Sequence, residues 1–355
     1  MCALSVLIET AQFLVIPGRY STIGDVITNS LGGALGFSIG LYAFVLLRPP
    51  SRRMALALCA GWSALWLAIQ VVTAFGFSPA IPRSEYYGQL APHHEDVEPF
   101  RGAVLGATIA DVPLSDSRLS ESPRLQEQLV RGAIVMTTVV PAGPTPDIAP
   151  IVRVVDEAER EIVFLGQNVP DLVFGVRTGA VVLRLRPPFF SQPDVFPGAT
   201  RNEREPATDT LTASARYSAS EVWMSTRTKT SHALRIPITS SLGWTMLLPF
   251  EWFIEGTRTE RDASVIWVAC LLLPIGYWGR RFVQFANAGR ATRIQVTSAI
   301  IAALLYVGLV AVPRAFGVNP ARFGDWLAAF TGLLLGAALA AGSSANRPQL
   351  ERVVP

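Results

Sequence analysis

Glu9, Gln12, Arg19, Asp25 and Asn29 are the residues whose types and spacing could do chemistry in this chain. Glu9 and Gln12 are three apart, so a helix would put them on one face. Pro17-Gly18-Arg19 follows as a turn that can bring Arg19 near both carboxylates. Asp25 and Asn29 begin a stripe at helical spacing that continues as Gly32, Gly36 and Gly40. Those glycines would let a second helix backbone approach closely. An ionisable residue inside a membrane span costs roughly 2.5–3.5 kcal/mol on insertion scales, so Glu9 and Asp25 need a use. One use is a polar pocket in which Arg19 meets an anionic headgroup. Another is a buried Glu–Arg–Asp network that locks a helical hairpin. Acid–base work by the carboxylates is a third, and no nucleophile or metal constellation accompanies it.

Other candidates are weaker. The run Asp156-Glu157-Ala158-Glu159-Arg160-Glu161 holds four carboxylates. A retaining glycosidase needs two of them about 5–5.5 Å apart. This run sits between two strand patterns and reads better as a solvated hairpin turn. His93-His94-Glu95-Asp96 offers metal ligands, but His232 is the only other histidine, and adjacent histidines seldom share a metal without a distant partner. Trp223 and Tyr217 could stack on sugar rings; core or edge packing is the plainer role. Cys2, Cys59 and Cys270 sit in apolar runs and form neither a disulfide framework nor a zinc spacing. No cofactor is implied.

The elements that must position these residues follow from composition. Half of the 355 residues are hydrophobic and 16% are charged, against about 25% charged in an ordinary soluble domain. Mean hydropathy is +0.36. Disorder and a nucleic-acid partner are excluded, and a net charge of +3 is too small to imply an anionic partner. Of the 27 acidic residues, only Glu9 and Asp25 precede Gly76, and six follow Ile238. The chain is therefore apolar at both ends with a polar block between.

A bilayer core needs about 20 apolar residues per helix. Val26–Leu47, Met54–Phe75, Ala263–Gly279, Ile294–Pro313 and Trp326–Gly342 are read as five spans. Met1–Ile16 is too short to span alone and has neither the basic start nor the cleavage site of a signal peptide. Arg48, Arg52 and Arg53 mark one cytoplasmic loop, and Arg280, Arg281, Arg290 and Arg293 a second. The polar block is then outside. Leu242–Ile254, with Trp244 and Trp252, suits an interfacial aromatic element better than a span. Gly332 and Gly336 form a small-xxx-small pair that ordinary helix packing explains.

Between about Leu90 and Ile238 the period changes to two. Strands are expected at Ala103–Ala110, Gly132–Val140, Ile151–Val155, Glu161–Leu165, Leu172–Val176, Ala180–Leu185, Asp209–Ala215, Glu221–Ser225 and Ala233–Ile238. Connectors rich in Pro, Gly, Ser and Asp separate them, with Pro187–Glu205 as a long surface loop. Short, evenly spaced strands imply an all-β sandwich.

Two resemblances add to this. IETAQFLVIPGRYSTIGDVITNSLGGALG carries Glu9, Gln12, Pro17, Arg19, Asp25, Asn29, Gly32 and Gly36 in order. It resembles the VanZ-like membrane protein family. That family has further spans before this point, so the first segment reads as a helix whose start is missing. The run Ile151–Pro187, with its core IVRVVDEAEREIVFLGQNVPDLVFGVRT, resembles concanavalin A-like (laminin G-like) jelly rolls. The first resemblance implies a cell-envelope role, in a family named for low-level glycopeptide (teicoplanin) resistance. The second implies a binding or spacer module.

The expected architecture is multi-domain: an α-helical transmembrane bundle plus an all-β jelly-roll sandwich. Residues 1–75 would be the VanZ-like membrane part and 90–238 the extracytoplasmic sandwich. Residues 239–342 would hold the interfacial element and last helices, and 343–355 a cytoplasmic tail. The expected role is non-catalytic. Glu9, Gln12, Arg19, Asp25 and Asn29 would hold a membrane lipid or lipid-linked envelope precursor, and Gly32, Gly36 and Gly40 would pack helices. The sandwich would meet a glycan or an envelope protein. The alternatives are an envelope enzyme acting on a lipid phosphate or glycan, and a sandwich merely anchored by its helices.

Overall fold

The computed structural model describes residues 23–92, 98–119, 122–141, 145–196, 210–248, 250, 252–284 and 290–345. Apolar helices at both ends flank two six-stranded sheets. The long helices are α1 (Ile23–Leu47), α2 (Arg52–Phe77), α6 (Arg258–Gln284), α7 (Arg290–Tyr306) and α9 (Phe323–Ala345). Four stretches are long and apolar enough to cross a membrane: Arg52–Phe77, Arg258–Gln284, Gln295–Ala315 and Phe323–Gly342. The expected span Val26–Leu47 falls on α1, whose described apolar stretch, Gly32–Ala43, is shorter.

The third of those stretches is not a plain α-helix. Val307–Ala311 forms a π turn between α7 and α8 (Val312–Ala315). The cause is Pro313, which has no N–H to give the carbonyl four residues back. That carbonyl belongs to Leu309, and the backbone N–H of Ala321 satisfies it at 2.8 Å.

α6 and α9 pack backbone to backbone. A Cβ on Gly336 would lie 2.0 Å from the Leu273 carbonyl oxygen, one on Gly332 2.2 Å from that of Ala269, and one on Gly276 2.1 Å from that of Leu333. Lipid tails are as apolar as side chains, so helix association in a bilayer depends on such close contact. α2 joins the pair through the Trp62 indole, which donates to the Leu271 carbonyl at 2.7 Å. Trp66 lies flat against Gly308, where a Cβ would sit 2.2 Å from the ring.

The start of α2 and the described end of α6 come together. The Arg52 guanidinium lies 4.7 Å from the Phe282 ring centre. The Trp278 indole donates to the Leu46 carbonyl at 2.8 Å. The sandwich is at the opposite ends of α2, α6 and α9.

The first sheet runs β1 (Tyr86–Leu90), β5 (Thr145–Asp156), β6 (Glu161–Val169), β7 (Asp171–Val176), β8 (Phe189–Gln192), β12 (Phe253–Ile254). The second runs β11 (Ser231–Pro237), β10 (Glu221–Arg227), β9 (Leu211–Tyr217), β4 (Ile134–Val140), β2 (Ala103–Ile109), β3 (Val112–Pro113). All pairings are antiparallel except β8 with β12. β5 to β8 follow one another as neighbours, an up-and-down order. Val152, Ile162 and Leu172 from one sheet and Ala213, Val222 and Met224 from the other share one buried core. β6 and β7 are buried on both faces. Outside, Phe189 lies over Gly175 and Phe164 over Gly166, and the rings of Phe164, Phe189 and Phe253 follow one another with centres 5.7 and 6.4 Å apart.

Several expectations are corrected. Ala180–Leu185 is not a strand; Gly179–Val182 forms a short helix, α4, packed on the end of α2. A Cβ on Gly179 would lie 2.2 Å from the Phe75 carbonyl oxygen, so a tertiary contact overrides the β-branched pair Val181-Val182. Pro187–Glu205 is not wholly loop, because β8 lies within it, completed by pairing to β7. Ser122–Val130 is a helix, α3, burying Ser122, Leu125 and Leu129 at helical spacing. β1 begins four residues before the 90–238 block, and β12 adds a strand to the first sheet from beyond it.

Leu242–Ile254 does not span. It is the 3-10 turn Ser240–Gly243, the short helix α5 (Trp244–Leu247) and β12. It lies where sandwich and helices meet. The Trp244 and Trp252 rings meet edge-on at 5.3 Å, and Phe250 is exposed beside them. That is the aromatic content of a membrane–water interface.

The sandwich core continues onto the end of α2. Ala74 and Phe77 belong to the same buried cluster as the sheets. Tyr217, wholly buried, donates its hydroxyl to the Phe77 carbonyl at 2.5 Å. Inside α2, the Gln70 side-chain oxygen accepts from Ser240 at 2.7 Å.

Two outcomes follow from these contacts. Gly336→Val should lower the detergent-state thermal unfolding midpoint clearly, by the ~1–3 kcal/mol of an overpacked core. Gly61→Ala, where a Cβ meets nothing within 4 Å, should not lower it; equal behaviour of the two variants would remove the close-packed α6–α9 seam. Tyr217→Phe should cost about 1–3 kcal/mol by stranding the Phe77 carbonyl. Protease nicking between helix and sandwich should rise with it, and an unchanged midpoint would show that water replaces the hydroxyl there.

Candidate functional site at the junction of sandwich and helices

Of the residues read as a lipid site, Glu9, Gln12 and Arg19 lie outside the described residues, as do the side chains of Asp25 and Asn29. Asp25 and Asn29 fall on α1. Gly32, Gly36 and Gly40 are exposed on α1, and no described atom lies within 4 Å of a Cβ built on them. His93, His94, Glu95 and Asp96 are also outside the described residues. Among the described residues no group of three His, Cys, Asp or Glu side chains could hold a metal ion.

The acidic run is the turn between β5 and β6. Asp156 ends β5 and is covered by its own turn, not by the core. Its carboxylate accepts from the N–H groups of Ala158 and Arg160, both at 3.0 Å, and from the Arg160 guanidinium at 2.7 Å. Burial alone would push its pKa up, but the hydrogen bonds from Arg160 and Ala158 outweigh that and hold it below the usual carboxylate range. Glu161 pairs with Arg153 at 3.1 Å. Burial raises the Glu161 pKa, with Arg153 opposing. Each of these two carboxylates is thus held by a partner of its own, and the run does the work of a turn.

The two aromatic candidates separate by parity. Side chains alternate across a strand. Tyr217 is in phase with Ala213 and Ala215 and points into the core. Trp223 is out of phase with Val222 and Met224 and points outward. It borders a cleft of about 570 Å³ with Arg216, Ser220, Glu221, Asn319 and Arg322.

The cleft is built from two parts of the chain. β9 and β10 supply its wall through a tight hairpin. The Ser218 N–H donates to the Glu221 carbonyl at 2.9 Å, and the Glu221 N–H donates to the Ser218 hydroxyl at 3.1 Å. The floor comes from the segment that enters α9. Asn319 donates its side-chain N–H to the Ser220 carbonyl and its backbone N–H to that of Ile238 at 3.2 Å. Arg322 donates to the Pro237 carbonyl at 2.6 Å.

Arg322 is anchored as well as charged. Its backbone N–H donates to the Asp325 carboxylate at 2.9 Å, an N-terminal cap on α9. Burial lowers the Arg322 pKa, with Asp325 opposing and Arg261 adding to the fall. A guanidinium stays protonated regardless, so the shift records a cation held in poor solvent. Such a cation attracts an anion more strongly than one in open water.

A second polar knot closes the start of α6. Glu260, buried, accepts from the Trp252 indole at 3.1 Å and from the N–H groups of Glu255, Gly256 and Thr257 at 2.9, 2.7 and 3.0 Å. The Thr257 hydroxyl accepts in return from the Glu260 N–H at 3.3 Å. This is a capping box at the start of α6. All these contacts are internal to the chain, so the knot fixes the geometry at the start of α6.

Sequence reasoning missed Asn319 and Arg322. Both lie about a hundred residues from Trp223 and Glu221 in the chain, and their one local signal is Arg322 just before an apolar run that starts with Phe323.

Residues 1–48 match the family model described as VanZ/LLP1. That stretch ends just after α1, so the sandwich and the other long helices lie beyond the likeness. No curated protein and no solved structure matches the chain.

Proposed function

We propose that this chain is a multi-pass protein of the bacterial cytoplasmic membrane that binds an envelope lipid or lipid-linked precursor, with its sandwich on the extracytoplasmic side. The carrying observation is the cleft of Arg216, Trp223 and Arg322. It opens where α9 begins, next to the fully displayed ring of Phe323. A headgroup phosphate at that level would meet two guanidiniums, and an apolar tail would run down the helices.

Further support comes from both ends of the bundle. Arg48, Arg52 and Arg53 gather with Arg280 and Arg281 at the end away from the sandwich, which is the positive-inside pattern. The VanZ/LLP1 match to residues 1–48 extends the reading to the N-terminal cluster Glu9, Gln12, Arg19, Asp25 and Asn29. In this reading Arg19 takes part in the same lipid recognition, and Gly32, Gly36 and Gly40 receive a neighbouring helix. The sandwich, whose Ile151–Pro187 run resembles concanavalin A-like domains in sequence, contacts a glycan or a partner protein. The family's name carries the proposal on to glycopeptide susceptibility.

Native mass spectrometry of the detergent-purified full chain tests this. Wild-type protein should retain a phospholipid or lipid-linked precursor. Arg216→Ala should lose most of it, about tenfold in occupancy for a lost charge-assisted hydrogen bond, and Arg19→Ala should weaken it independently. No retained lipid, or equal retention in all three proteins, would refute lipid binding.

A further inference from the structure

The outer face of the second sheet carries a row of side chains set by register. Ile134 lies opposite Arg216, Arg216 opposite Trp223, and Trp223 opposite Arg235. All four are on the outward face, because Val135, Ala215, Val222 and Ile236 beside them are buried. Neighbouring strands are about 4.8 Å apart. The indole of Trp223 therefore has a guanidinium-bearing residue on each side, with roughly 10 Å between the two arginine backbones. Neither Arg216 nor Arg235 makes an ion pair with a described carboxylate.

Further rows run away from the membrane. Met136, Ser214, Ser225 and Ala233 form the next, and Thr138, Thr212, Arg227 and Ser231 the one after. Apart from Met136 and Arg227 they are small or hydroxyl-bearing, and the Thr138 and Thr212 hydroxyls meet at 3.3 Å. In the other direction the Trp223 row is two residues, about 7 Å, above the Glu221–Pro237 pair that borders the cleft. Glu221 is the one carboxylate lining that cleft, facing Arg216 and Arg322.

We infer that this face is a binding platform for an acidic saccharide, a sugar ring bearing a carboxylate or phosphate. The chemistry follows from the row. The face of an indole takes the C–H face of a pyranose, as it takes other flat or cationic partners. Guanidiniums on both sides supply bidentate hydrogen bonds to an anionic group. Hydroxyl rows beyond can exchange hydrogen bonds with sugar hydroxyls without closing the surface. A protein partner would centre instead on the exposed apolar residues Leu105, Ile134 and Met136 of β2 and β4, at the end of the row away from Trp223 and Arg235. This inference deepens the lipid-binding reading and rests on it for one point: the same Arg216 would serve the anchor phosphate and the first sugar of a lipid-linked saccharide.

The test uses the full chain in phosphatidylcholine nanodiscs and calorimetric titration. The probes are a glucuronate-containing oligosaccharide, a neutral gluco-oligosaccharide of equal length and a sugar 1-phosphate. The acidic oligosaccharide should bind about tenfold more tightly than the neutral one, the effect of one charge-assisted contact. Trp223→Ala should weaken both. Arg235→Glu, at an exposed position that tolerates a charge change, should abolish the preference for acid. Sugar 1-phosphate binding that needs Arg216 but not Arg235 would assign the lipid-linked source. Dependence of the uronate on Arg235 would assign a free acidic glycan. Equal affinity for acidic and neutral probes, or affinity unchanged in Arg235→Glu, would overturn the inference. Native mass spectrometry of the wild-type chain beside these titrations separates the two readings. Lipid retained while acidic glycan fails to bind sinks this inference alone; glycan bound with no lipid in any variant sinks the lipid reading alone.

Discussion

The end of α2 is the constraint on which the molecule depends. A helix leaves its last carbonyls without intrahelical partners, and here they end under a β-sandwich instead of in water. The Phe77 carbonyl is met by the Tyr217 hydroxyl, and Phe77 itself lies in the sandwich core. Gly179, Gly243 and Gly76 let three further segments reach the same helix end; a Cβ on Gly243 would lie 2.1 Å from Thr73. Burial has pushed the Tyr217 pKa up beyond its usual value, so the hydroxyl stays protonated and can only donate to that carbonyl. Sandwich and helices are therefore fixed to each other by a packed joint, and a cleft at the joint keeps its shape.

That rigidity also fixes the walls of the cleft. Asn319 and Arg322 come from the approach to α9, Arg216 and Trp223 from the sheet, and the hydrogen bonds to Ser220 and Pro237 hold them in register. A hinged module would spend ordering entropy on each encounter. The close-packed glycines of α6 and α9 serve the same end from below, since α9 cannot slide without losing contact at Gly332 and Gly336. The Glu260 knot clamps the start of α6 beside them.

Much of the fold was legible in the residues. Long apolar runs gave the helix positions, because a span must be about 20 apolar residues whatever surrounds it. Period two gave most strands of the sandwich, since each has one face in a shared core. What failed was local pattern in short segments. Val181-Val182 looked like strand and became helix under contact with Phe75. Phe189–Gln192 looked like loop and became strand because β7 and β12 offered partners. Of the site, the outward aim of Trp223 and the inward aim of Tyr217 were readable by counting parity from Ala213, Ala215, Val222 and Met224. The role of Arg322 was not, because nothing near it in the chain reports which sheet it will touch.

The division is physical. Hydropathy and periodicity are properties of neighbouring residues, so the sequence alone determined membrane-length helices at both ends, a β-rich block between them, and arginines gathered at loops on one side. Which helix end meets which strand depends on contacts between residues far apart in the chain, where sterics of single glycines and partners for single carbonyls decide. Only the tertiary structure could set Asn319 against Ser220, close Leu242–Ile254 into the joint instead of the bilayer, and align Arg216, Trp223 and Arg235 across three strands into one face.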